Sequence, residues 1–103
     1  MFLLKSEYNT AMIKIVGKDL MRDGVKIGWI EGEHIFDENG HKQGYFESGA
    51  IYTYEGKRIA HIEGDFLFTI DGKKSHIDDL REHVSGGTIS DLARGAILLL
   101  IGD

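Results

Sequence analysis

Ile35-Phe36-Asp37-Glu38-Asn39-Gly40-His41-Lys42-Gln43-Gly44-Tyr45-Phe46 is the stretch whose reading decides the fold. Two short runs rich in branched and aromatic residues flank the dipeptide Asn39-Gly40. Asn-Gly and Asp-Gly are strong hairpin signals, because a type I′ turn needs positive φ at both central residues. The pattern recurs in both directions. Gly24, Gly40, Gly56 and Gly72 stand sixteen residues apart, after Asp23, Asn39, Glu55 and Asp71. Four positions before the glycine stand Leu20, Phe36, Tyr52 and Phe68; five after it stand Trp29, Tyr45, His61 and Ile77. Gly17, Gly32, Gly49 and Gly64 mark a second set of loops. Each unit therefore reads as strand, tight turn, strand and return loop. Such a unit cannot bury its apolar face alone, so several must pack together. The linkers are short enough to permit only antiparallel neighbours. The expected architecture is mainly β: a four-repeat antiparallel up-and-down meander of eight strands, closed into a barrel so that no edge is exposed.

Gly28, Gly44 and Ala60 occupy one equivalent place, four residues past the turn. Glycine inside a strand weakens it, so its repetition means that a side chain there would clash or that something else must fit. In the fourth copy His76 takes this place, and the period then changes. Ser75 followed by Asp78 reads as a helix N-cap with an acidic first turn. Ile77, Leu80 and Val84 at helical spacing predict a short helix over 77–84, stopped by Ser85-Gly86-Gly87. Ser90 caps a second helix over 90–101, apolar on every side from Ala96 onward. A helix of that kind is buried, so it is expected to fill the barrel. Residues 1–16 follow the repeat poorly. They read as an N-terminal strand segment or hairpin closing the barrel seam, or as a decayed fifth unit with Leu3-Leu4 in register. The chain is one domain, 1–103, with the four repeats over 17–79.

Length and composition narrow the function. A chain of 103 residues is enough for one small core, and 42% apolar residues make it globular. There is no cysteine, which removes disulfides, thiolate nucleophiles and cysteine metal sites together. There is no proline to interrupt a strand ladder. A net charge of −5 argues against nucleic acid as a partner. Met1-Phe2-Leu3-Leu4-Lys5 lacks the parts of a secretory signal, and the apolar run Ala96–Ile101 is too short to span a bilayer. The expected location is cytoplasmic.

The tandem phrase 35–46, together with Gly24-Val25-Lys26-Ile27-Gly28-Trp29-Ile30, resembles the bacterial β-flower proteins in their four-fold form. The likeness covers about residues 17–79. It implies a shallow symmetric barrel and no established activity. An apolar C-terminal helix inside a β-barrel also resembles, in architecture alone, the Tubby and scramblase-like proteins, which are associated with phosphoinositide or membrane-surface binding.

The candidate chemistry is sparse. Lys26, Lys42, Arg58 and Lys74 fall two residues past each turn, where they form a candidate anion-binding set at one end of the barrel. Lys57, Lys73 and Arg22 lie nearby, and Asp23, Asp37, Glu38, Glu55 and Asp71 partly cancel them. Glu31, Glu47, Glu63 and Asp79 recur seven past the turn, a candidate rim for a cation or a basic partner. The plainer reading of both sets is solvated strand ends. His76 and His83, seven apart with Asp78, Asp79 and Glu82 near them, are the residues a metal-dependent enzyme would use, but no tight ligand pair and no Gly-x-Ser-x-Gly elbow occurs. The expectation is a non-enzymatic binding or interaction module without metal or cofactor. Its partner is expected to be a protein or a second copy of the chain, with an anionic lipid or phosphate surface as the alternative.

Overall fold

The computed structural model describes residues 12–102. Ten strands form one sheet: β1 Ile13–Val16, β2 Asp19–Arg22, β3 Val25–Glu31, β4 His34–Asp37, β5 Lys42–Glu47, β6 Ala50–Thr53, β7 Arg58–Glu63, β8 Phe66–Thr69, β9 Lys74–His76 and β10 Val84–Ser85. Helix α1 spans Ile77–His83 and α2 spans Asp91–Ile101. The order across the sheet is β10-β1-β2 and onward in sequence to β9. The four repeats are the hairpins β2–β3, β4–β5, β6–β7 and β8–β9. The decayed-unit reading of the N-terminus rests on Leu3-Leu4, outside the described residues; β1 is a plain strand added to the first repeat.

The sheet is not closed into a barrel. β9 and β10 are its two edges, and α1 joins them directly. The last strand pairs parallel with β1, through Ile13↔Val84 and Lys14↔Ser85. β9 and β10 therefore run in the same sense, and the seven residues of α1 carry the chain back between these two unpaired edges, about 10 Å of helix at 1.5 Å per residue. His76, not Ser75, caps this helix: its Nδ1 accepts from the Asp78 amide at 3.0 Å. Ser75 belongs to β9.

The turns are of two kinds. Asp23-Gly24 is a two-residue loop with both φ positive, at 53° and 79°, and closes the Arg22↔Val25 pair. The other three are three-residue loops. Asp37, Thr53 and Thr69 accept, through their carbonyls, from the amides of Gly40, Gly56 and Gly72, and donate to the carbonyls of His41, Lys57 and Lys73. Only the glycine is left-handed, at 87°, 91° and 92°. This is the type I turn followed by a bulge glycine, and it corrects the type I′ expectation at these sites. The residue three before the glycine fastens each loop. Asp37 Oδ1 accepts from the amides of Asn39 and His41, each at 2.9 Å. Thr53 and Thr69 Oγ1 accept from Lys57 and Lys73 at 3.2 and 3.1 Å. The first repeat has Met21 there, with no acceptor to offer.

A second irregularity follows the turn. Ile27, Gln43 and Ile59 are skipped in the pairing of the first three hairpins, as bulges, whereas β8–β9 pairs without one. The interior pairs that result are Leu20↔Gly28, Ile35↔Gly44, Ile51↔Ala60 and Leu67↔Ser75. Each sets a buried branched side chain opposite a small one. Because one residue of slip exchanges the faces of a strand, the lost bulge puts Ser75 where His76 is expected and leaves His76 opposite Phe66 on the other face.

The small residues make room for the neighbouring strand and for α2. A Cβ at Gly28 would meet the carbonyl of Phe36 first and then Ile101 at 3.0 Å, and one at Gly44 the carbonyl of Tyr52 first and then Leu100 at 2.7 Å. Gly95 of the helix in turn lies against Leu67 and Ile51. The helix thus fills the hollow of the sheet, with Ala93, Gly95, Ala96 and Ile97 buried. It is not covered on every side, because Leu99 is 36% exposed. Ser90 caps it as expected, accepting from the Ala93 amide at 3.1 Å. Two further contacts hold it. Arg81 reaches Asp91 with two parallel hydrogen bonds, at 3.0 and 2.9 Å, which ties α1 to α2 and holds the Arg81 guanidinium above its ordinary pKa. Arg22 donates to the carbonyl of Gly102, placing a cation at the negative end of the helix.

Candidate functional site

The face of the sheet turned away from the helices is built from three facing aromatic pairs. Trp29 stacks on Phe36 with centroids 5.4 Å apart, Tyr45 on Tyr52 at 4.9 Å and His61 on Phe68 at 5.4 Å. Each pair is a direct cross-strand neighbour, the arrangement in which side chains of adjacent strands meet best. The alternation that sends Gly28 and Ile30 inward sends Trp29 outward.

The four candidate anion-binding cations belong to this face. Lys26 lies 5.0 Å from the centre of the Trp29 ring, Lys42 lies 5.1 Å from Tyr45, and Lys74 lies 4.2 Å from Phe66. The Arg58 guanidinium comes within 3.4 Å of His61 Nδ1. Lys26 also pairs with Asp19 at 3.1 Å. The cations stand on β3, β5, β7 and β9. Two strand spacings, about 10 Å along the sheet, separate each from the next. They lie along their own rings instead of converging on one point. A cation over an exposed ring contributes about 0.5–1 kcal/mol, so their first role is to roof the aromatic pairs.

The acidic set is at the opposite end of the strands. Glu31, Glu47 and Glu63 are the exposed last residues of β3, β5 and β7, whereas Asp79 sits in the first turn of α1. Among the described residues no three His, Asp or Glu side chains gather as a metal site. His76 is engaged as the α1 cap, and His83 Nδ1 lies 2.7 Å from the Asp79 carbonyl.

What the sequence reading passed over is the apolar content of the turn tips. Tyr54 is 63% exposed, Ile70 62% and Val25 62%. Tyr54-Glu55-Gly56-Lys57 and Ile70-Asp71-Gly72-Lys73 share one form: an apolar residue two before the glycine and a lysine one after it. The α2 residue Leu99 joins Ile70, Ile59, Thr69, Asp71 and Lys73 around a hollow of about 250 Å³. The Asp71 carboxyl is turned onto the Thr69 hydroxyl, a hydrogen bond that holds its pKa below the ordinary value and keeps it ionised. The available signal was a large apolar residue at a turn position, where Gly, Asn, Asp and Ser are usual.

Fold and faces together define a class: a flower of short hairpins whose cup holds an apolar helix and whose outer petals are stacked aromatics. The chain belongs to the 4-fold beta flower protein family, whose model matches residues 21–90. Comparison with curated proteins and with solved structures gives no match. No described helix is long and apolar enough to cross a membrane.

Proposed function

We propose that the protein is a non-enzymatic, cytoplasmic binding module and that the turn end is the face that binds. The observation that carries this is the exposure of Ile70 and Leu99 around one hollow, with Tyr54 exposed on the tip of the preceding hairpin. Contiguous apolar surface with a polar rim marks interaction sites. The aromatic pairs are a weaker candidate, because neighbouring rings and lysine stems already cover their faces. One hollow is lined by Ser75, Asp79, Leu80, His83 and Leu98, but His83 Nδ1 lies 2.7 Å from the Asp79 carbonyl and among the described residues no hydrogen bond joins His83 to Ser75, which supports binding over catalysis.

The test is photo-crosslinking in cells from two tips. A photoreactive residue in place of Ile70 is expected to give a covalent adduct, of whatever chemical kind. One in place of Glu38, the same position on the second tip, is expected to give none. Equal labelling from both positions, or none from either, ends the proposal.

A further inference from the structure

We propose that the tips of the third and fourth hairpins, with Leu99 between them and the helix, dock on an anionic lipid surface. This deepens, and rests on, the reading of the turn end as the binding face. Three observations lead there. Ile70 and Leu99 stand exposed around one hollow and Tyr54 stands exposed on the tip of the preceding hairpin, so a broad yielding surface meets all of them at once. Tyrosine carries an apolar body and a polar tip and is suited to the boundary between lipid and water, where isoleucine and leucine reach deeper.

Charge supplies the third. Lys57 and Lys73 stand on the two tips, with Arg58 and Lys74 next to them on the aromatic face, all exposed, against two carboxylates, Glu55 and Asp71. Asp71 keeps its charge under the Thr69 hydrogen bond, so the region holds four cations against two anions. The protein as a whole is at −5, with Glu31, Glu33, Glu47, Glu63 and Asp65 gathered at the far end of the strands. A negative membrane therefore repels one end and attracts the other, which sets the orientation before contact. Lysine stems lie along apolar surface while their ammonium groups stay at headgroup level.

The test is co-sedimentation of the full chain with vesicles of phosphatidylcholine alone or with about one part in three phosphatidylserine, at roughly 0.1 M salt. The wild type is expected to sediment with the anionic vesicles and far less with the neutral ones. The double variant Y54S/I70S is expected to lose affinity by about tenfold or more, with an unchanged melting curve because both side chains are exposed. K57E/K73E is expected to remove the preference for phosphatidylserine, again by about tenfold or more. Sedimentation with neither vesicle, or variants that bind as the wild type does, overturns the inference. A protein adduct from position 70 without vesicle binding overturns the membrane and leaves the binding face standing. No adduct and no vesicle binding overturns both.

Discussion

The two faces of the sheet use the same repeat in opposite ways. Inside, each hairpin sets a buried branched residue opposite a small one, and the vacancy is filled by α2: Ile101 at Gly28 and Leu100 at Gly44. Outside, each hairpin from the first to the third sets one ring face to face with a ring of the next hairpin and lays a cation beside it. The inner face depends on a segment far away in sequence. The outer face is satisfied by residues within one repeat and its neighbour. Damage inside should therefore be global and damage outside local.

The largest expected effect removes the helix. A chain ended after Gly87 exposes the buried inner residues, including Leu20, Ile35 and Ile51, and is expected to lose its cooperative melt or to aggregate. A truncated chain that melts as sharply as the whole would show that the inner face holds itself together. Gly44→Val is next. Its side chain meets Leu100 and the Tyr52 backbone, and overpacking of that kind costs about 3 kcal/mol, read from chemical denaturation. A cost under about 1 kcal/mol would mean that helix and sheet are loosely joined.

The outer face should respond less. In a cycle of Tyr45→Ala and Tyr52→Ala, the coupling beyond lost burial is expected at about 1 kcal/mol, as for other facing ring pairs. A coupling of zero would reduce the stacked pairs to mere covering. The smallest effect lies in acid at the second turn. Chiefly the hydrogen bond from the His41 amide, and also that from Asn39, hold the Asp37 carboxyl below its ordinary pKa. Its contribution to stability is therefore complete above the unfolded pKa and is lost as pH falls through the lower folded value. The melting temperature of wild type should approach that of Asp37→Asn as pH falls below about 4. A gap that stays constant down to pH about 2 would remove the charge from the account of that loop.

Much of this contrast was legible in the sequence. Repeated glycine at Gly28 and Gly44 announced a close approach, and the apolar run Ala96–Ile101 named what approaches. The aromatic pairs were visible as recurring positions, though not as stacked neighbours, because pairing depends on register and register on the bulges. Those bulges fall at Ile27, Gln43 and Ile59, two apolar residues and one polar, so no one side-chain type marks them. The turn type was readable in principle. Asp37, Thr53 and Thr69 carry an acceptor three before the glycine where Met21 does not, and that contrast separates the three-residue loops from the two-residue one. Counting back from the glycine aligns Leu20 with Phe36, Tyr52 and Phe68, yet Leu20 takes the inward place of Ile35, Ile51 and Leu67, because its loop is one residue shorter. The open seam was not readable. Val84–Ser85 is two residues long, and its partner in β1 lies some seventy positions away along the chain. The tips of the candidate site were hidden because Tyr54 and Ile70 break the repeat, which has Arg22 and Glu38 at the same place in the first two units.

The seam also bears on how such a molecule grows. A closed barrel ties strand number, tilt and stagger together, so a change in one must be answered around the whole ring. Here α1 crosses between two edges that never pair. A further sixteen-residue hairpin would extend the open sheet by two strands and alter the gap that α1 bridges between β9 and β10. The number of petals is thus limited by the reach of one seven-residue helix and by the hollow that a second one fills.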